Sequence, residues 1–325
     1  MEVSGGMVSL IDKLKQGDTA ALARLITLLE EGELDMASIE HIVGKTGVSF
    51  KIGFTGPPGA GKSSLIDWIM KHIRAAGGTV GVLATDPSSP FTGGAILGDR
   101  IRMQHHFLDD RVFIRSLGSR GASGGISRIA RDASYLMQAA GYGFIILETV
   151  GVGQTELDIM DIADTVAVVL VPESGDFVQA MKAGLMEAAD IFVVNKADRE
   201  GSRQMVSAIK FLIETSPPGH DSWQVPVMPT NGLDGTGTAE LFGTVLAHRE
   251  FLGSHGNADL MLRKRLHELK QIVIEHLGMR VDGMISEALM SGYSEELADP
   301  SVSVYSILNR LMHDERLLGM LLKRG

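Results

Sequence analysis

The chain has 325 residues, 44% of them hydrophobic, no cysteine and a formal net charge of −10. This is enough for one large core, or one domain with helical additions. The negative charge argues against nucleic acid or an anionic membrane as the main partner, and the lack of cysteine rules out a disulfide framework, a thiolate nucleophile and a thiolate metal site.

Residues 1–47 read as a helical N-terminal extension. Met1–Gly6 lacks the basic and apolar regions of a leader, and no apolar run is long enough to span a bilayer. A cytoplasmic location is therefore expected, compatible with the missing cysteines. Asp18 is placed to cap a helix carrying Leu22, Leu25, Ile26, Leu28 and Leu29, which Gly32 ends. A shorter helix runs through Ile39, Ile42 and Val43.

From residue 48 to 253 the texture changes. Short apolar runs rich in β-branched residues alternate with helical patterns: Ser49–Thr55, Val80–Thr85, Val112–Leu117, Phe144–Leu147, Val166–Val171, Ile191–Val194 and Val225–Met228. Near-continuous apolar runs of this length are strands buried on both faces of a mainly parallel sheet. With helices between them, the expected fold is a doubly wound α/β domain that binds ligands beyond the carboxyl ends of its strands.

The first strand leads into Gly56-Pro57-Pro58-Gly59-Ala60-Gly61-Lys62-Ser63, which satisfies G-x-x-x-x-G-K-[ST] at every fixed position. Glycines let the backbone approach phosphates, and the N-terminus of the following helix, opening with Ser64, presents N–H groups to the anion. Lys62 is assigned to the β- and γ-phosphates and Ser63 to Mg²⁺. The phosphate contacts expected are Gly56, Pro58, Gly59, Ala60, Gly61, Lys62, Ser63 and Ser64.

Acids follow at strand ends. Asp86 follows the second run, Asp99 lies in Leu97-Gly98-Asp99-Arg100, and Glu148 ends the fourth run in Glu148-Thr149-Val150-Gly151. Mg²⁺ keeps several waters and takes one or two carboxylates, so these three are alternatives for its shell and not simultaneous ligands. Gly151 occupies the place where a backbone N–H senses the γ-phosphate. Glycine-rich loops at 118–125 and 174–176 join strands to helices, and Gln179 and Lys182 share a helical face just after the second. Gln154 lies too far past Gly151 to position the attacking water. His105-His106 is an isolated pair, read as helix surface.

Asn195-Lys196-Ala197-Asp198 follows the sixth run. Alone, N-K-x-D is an ordinary strand-to-helix turn. Downstream of a phosphate loop it is a guanine reader: the Asp198 carboxylate accepts from guanine N1–H and the 2-amino group together, whereas adenine leaves it unpaired. Lys196 lies along the base. Thr230-Asn231-Gly232 stands where a turn meets guanine O6. From 254 to 325 the chain is helical again. Leu260 to Met279 form one pattern, and Tyr305 begins a last helix running through Leu322.

Together these motifs resemble the MeaB/ArgK-type P-loop GTPases, which include the methylmalonic aciduria type A proteins. The resemblance covers nearly the whole chain. It rests on the phosphate loop, on Asp86-Pro87-Ser88-Ser89 with Gly93–Asp99, on Glu148-Thr149-Val150-Gly151-Val152-Gly153-Gln154, and on Asn195–Asp198. It implies a homodimeric GTPase that binds GTP or GDP with Mg²⁺, gates cofactor loading of an adenosylcobalamin-dependent acyl-CoA mutase and protects that mutase. It also implies switch segments at 86–103 and 174–182, the second carrying Gln179 and Lys182. With Lys62 and Glu148, these two complete the catalytic candidates. The C-terminal helices are implied to support dimerisation. Three other readings compete: a P-loop kinase, which needs no guanine reader; a nickel metallochaperone GTPase, which needs a Cys/His cluster; and a purely structural binding module.

Overall fold

Each of the seven apolar runs becomes a strand: β1 Phe50–Thr55, β2 Val80–Thr85, β3 Val112–Leu117, β4 Phe144–Glu148, β5 Thr165–Leu170, β6 Ile191–Val194 and β7 Val227–Pro229. All pairings are parallel, in the order β3-β2-β4-β1-β5-β6-β7. The chain therefore adopts the expected doubly wound α/β architecture. This computed structural model describes residues 5–34, 36–44, 47–85, 103, 106, 108–118, 125–149, 162–172, 189–215, 223–254 and 258–322. Strands β2, β3 and β4 lie on one side of β1 and β5 to β7 on the other, so the loop leaving β1 sits where the winding reverses. That is where ligands bind in open α/β sheets.

Alternation along the strands divides the core in two. Val166, Val168 and Leu170 of β5 join Leu83, Leu117, Ile145, Leu147, Phe192 and Val194 on one face. Ala167 and Val169 join Ile52, Phe54, Val82, Ile146, Ile191 and Val193 on the other. The first face is covered by α1 (Gly5–Lys15), α2 (Thr19–Glu30), α3 (Met36–Val43), α5 (Gly125–Ala139) and α6 (Ser202–Thr215). The second is covered by α4 (Lys62–Ala75) and α7 (Thr238–Gly253). Each fully buried Leu or Ile contributes about 1.5–3 kcal/mol. Lys51 points to the α5 side of β1, where its ammonium lies 4.2 Å from the centre of the Tyr135 ring.

Asp18 caps α2 as anticipated, accepting from the amides of Ala20 at 2.8 Å and Ala21 at 2.9 Å. At the far end of that helix Glu30 is only 2% exposed. It takes the Arg115 guanidinium of β3 at 2.5 Å and the Gly118 amide at 3.2 Å. Arg115 also donates to Thr27 Oγ1 at 3.1 Å. The N-terminal helices are thus fastened to the carboxyl end of β3 by a largely buried ion pair.

The chain forms two compact units, Met1–Leu262 and Arg263–Gly325. In the second, Met284, Ala288, Ile307, Leu311 and Leu317 make a small core. The single last helix expected there is in fact two, α10 (Val304–Leu311) and α11 (Glu315–Leu322); α8 is Ala258–Ala288 and α9 is Ser294–Ala298. Asp314 causes the break: its carboxylate accepts from the amides of Arg316 at 3.0 Å and Leu317 at 3.2 Å and so starts a new helix. Apolar periodicity runs through the turn and conceals it.

Replacing Glu30 with alanine strips Arg115 of its carboxylate in a mostly buried setting. Breaking a buried pair costs about 3–5 kcal/mol, and the partial exposure of Arg115 places this variant near the lower end. Urea unfolding should show a clearly lowered midpoint.

Candidate nucleotide-binding site

Every described motif residue gathers at the carboxyl end of the sheet. β1 runs out at Thr55, the chain turns through Gly56–Gly61, and α4 starts at Lys62. Gly61 precedes the helix at φ 86° and no side chain caps the helix start. A Cβ at Gly61 would lie 2.4 Å from Asn195 Nδ2, so the backbone angle and the space both require glycine. The first-turn amides of α4 are therefore left to an anion. Pro58 and Gly59 stand exposed at the crest of the turn, while Ala60 is buried.

Lys62 is 6% exposed. Its ammonium donates to the carbonyls of Gly56 at 2.7 Å and Pro57 at 3.1 Å, so it curls back over its own loop. The next residue, Ser63, donates its hydroxyl to Glu148 Oε1 at 2.6 Å across the end of the sheet. Both are buried, and together they offer oxygen ligands of the kind Mg²⁺ takes. The sheet fixes their spacing: Thr149 N–H donates to the Phe54 carbonyl at 3.1 Å and its hydroxyl to Thr55 Oγ1 at 3.1 Å. Sequence reading assigned no role to Thr55 and Thr149; their only signal was a hydroxyl residue at the end of an apolar run.

Asn195 lies buried between two loops. Its Nδ2 donates to the Ala60 carbonyl at 2.7 Å. Its Oδ1 accepts from Thr230 Oγ1 at 3.2 Å and from the Gly232 amide at 2.9 Å. Lys196 follows at φ 56°, the only non-glycine residue with positive φ among those described. Ala197 N–H then donates to the Thr230 carbonyl at 2.9 Å, which lays the N-K-x-D turn alongside the Thr230 loop. Asp198 is exposed at the turn. The Asn231 side chain is used inside its own loop: its amide donates to Asp234 Oδ2 at 3.0 Å and its oxygen accepts from Leu233 N–H at 3.0 Å.

Asp86, Asp99, Gly151, Gln179 and Lys182 lie outside the described residues. His106 requires a correction. Read as helix surface, it is 7% exposed, with Nε2 lying 3.0 Å from Asp67 Oδ1 on α4. Burial pushes Asp67 up, but hydrogen bonds from His106 and Lys71 outweigh this and hold the carboxyl below its usual value.

Comparison with known proteins agrees with this arrangement. A family model described as methylmalonyl Co-A mutase-associated GTPase MeaB matches residues 22–285. Over 282 residues the chain is 46% identical to a Pyrococcus horikoshii protein named as a GTPase, covering 86% of this chain and 89% of that one. It is 31% identical to the Caenorhabditis elegans mitochondrial methylmalonic aciduria type A homolog, covering 82% and 71% respectively. A solved structure titled LAO/AO transport system kinase shares the fold, with a TM-score of 0.66, 24% identity and coverage of 99% of this chain and 98% of that one.

Removing the Asn195 side chain breaks the bond to the phosphate loop and both bonds to the Thr230 loop. At about 0.5–1.5 kcal/mol net per bond, Asn195→Ala should weaken GDP binding about 30-fold or more by calorimetry.

Proposed function

The chain belongs to the MeaB family of P-loop GTPases, and on that footing we propose that it is a GTP-hydrolysing chaperone that gates cofactor loading of an adenosylcobalamin-dependent acyl-CoA mutase and protects that mutase. The observation carrying the nucleotide half is the convergence of Lys62, Ser63–Glu148 and Asn195–Asp198 at one end of the sheet. The family description, which names methylmalonyl Co-A mutase, supports the partner half.

On this reading Lys62 exchanges the carbonyls of Gly56 and Pro57 for the β- and γ-phosphate oxygens, and the α4 amides take the remaining phosphate charge. Ser63 and Glu148 hold Mg²⁺, with Asp86 and Asp99 as further candidate ligands. Bound there, the ion neutralises charge on the phosphate oxygens. Asp198 accepts from guanine N1–H and the 2-amino group, Lys196 lies along the base, and Thr230-Asn231-Gly232 closes the O6 side. Gly151, Gln179 and Lys182 are assigned to the γ-phosphate and switch side. Hydrolysis needs in-line water and an added stabilising group, and we assign the completion of that site to contact with the mutase.

The proposed division of labour is a helical extension over 1–47, a GTPase domain over 48–253 and a dimerisation region over 254–325. Supporting the last, Leu266, Leu269, Val273 and Leu277 recur at helical spacing along α8 and stay about half exposed. A second copy of the chain is the proposed cover. No helix among the described residues is long and apolar enough to cross a membrane. A cytoplasmic location is part of the proposal.

The kinase reading is not favoured, because the family and its named relatives are GTPases. The nickel-metallochaperone GTPase is not favoured, because the matching family is described as mutase-associated and the chain has no cysteine. Asp198→Asn should weaken GDP binding at least about 100-fold and admit xanthosine diphosphate, whose 2-oxo group accepts where the guanine amine donated. Competition calorimetry reads both effects. Adding cognate mutase should raise GTP turnover about tenfold or more, since completing such a site is worth up to about 10³–10⁵. An unchanged rate removes the chaperone coupling.

A further inference from the structure

α4 does more than begin at the phosphates. Ser64, Trp68 and His72 are spaced four residues apart, so they form one row along the helix. That row lies against a single segment, the loop from Asn231 to Thr238 that follows β7. Ser64 abuts Gly232. Trp68 Nε1 donates to the Gly232 carbonyl at 3.2 Å. His72 Nε2 lies 3.1 Å from Thr238 Oγ1, and that hydroxyl donates to the Gly235 carbonyl at 2.7 Å. The His72 ring is itself stacked on Phe242, with centroids 5.9 Å apart.

Trp68 is the centre of this contact. Gly235 has φ +85°, and a Cβ there would lie 2.6 Å from the indole. Gly232 is gripped from both sides, its N–H by Asn195 Oδ1 at 2.9 Å and its carbonyl by Trp68. The loop that closes the base side of the site therefore takes its height from an indole on the helix that opens the phosphate side.

We propose that Trp68 is a positioning residue for the guanine base: through the Gly232 carbonyl and the Gly235 backbone it sets where the Thr230–Gly235 loop meets the nucleotide. This rests on the guanine reading above and deepens it. Trp68 need not touch the nucleotide. It makes the base grip depend on the same helix as the phosphate grip.

The test compares GDP with pyrophosphate, which carries phosphates and no base. Trp68→Phe keeps a ring under Gly235 and removes the N–H donor. GDP should leave this variant about 3–10 times faster, with pyrophosphate affinity unchanged and the nucleotide-free protein, although somewhat less stable, still fully folded at the assay temperature. Gly235→Ala supplies a second arm. In the parent chain it should weaken GDP more than about tenfold, because its Cβ collides with the indole. In a Trp68→Ala background the same change should cost distinctly less, a non-additivity expected only of groups in contact. Equal losses for GDP and pyrophosphate, or additive effects, would reduce Trp68 to a general brace and overturn the proposal. So would GDP release that Trp68→Phe leaves unaltered. If the parent chain binds pyrophosphate and not GDP, the guanine reading fails first.

Discussion

The Asn195 carboxamide, 2% exposed, joins segments distant in sequence: it donates to Ala60 in the turn after β1 and accepts from Thr230 and Gly232 beyond β7. Only an amide of this length serves both sides. An aspartate would aim a carboxylate at the Ala60 carbonyl with no proton to offer, and glutamine would overreach by a methylene. The fit also acts on its neighbour, since Gly61 has no room for a side chain. With buried polar groups this fully engaged, the two halves of the site hold one geometry, and either half alone would leave unsatisfied donors or acceptors inside the protein.

Much of the architecture was legible because a parallel sheet covered on both faces has few sequence solutions. All seven runs were found. Their ends were less secure. β4 includes the charged Glu148 because its backbone still pairs with Phe54 of β1 and Ala84 of β2, and β7 starts only at Val227, past Pro226, whose carbonyl still accepts from Phe192. The Asp18 cap was readable from local chemistry; the Asp314 cap was lost within a leucine pattern that continued past it. The phosphate loop and N-K-x-D turn announce themselves by spacing. The Ser64-Trp68-His72 row does not: the partner of Trp68 is 164 residues away. His106 was hidden in the same way, since its partly buried carboxylate partner lies 39 residues earlier.

Charge placement follows a similar logic. The chain is strongly acidic overall, yet several cations of the α/β unit are internal and individually matched. Arg115 is held by Glu30, Lys62 by the carbonyls of its own loop, and Lys51 lies over the Tyr135 ring. Burying a cation is tolerable only with such partners. The Glu30 pair also ties the N-terminal helices to Gly118, where a glycine-rich loop begins.

The chain has only two tryptophans, and the fold places them at opposite ends of the sheet. Trp68 bonds to Gly232 beyond the carboxyl end of β7. Trp223 bonds to the Asp190 carbonyl just before β6 and lies 4.6 Å, ring to ring, from His248. The protein thus carries its own pair of optical labels, one beside the ligand end and one as an internal reference. A movement of the Gly232 loop against Trp68 is thereby open to intrinsic emission, without any attached dye.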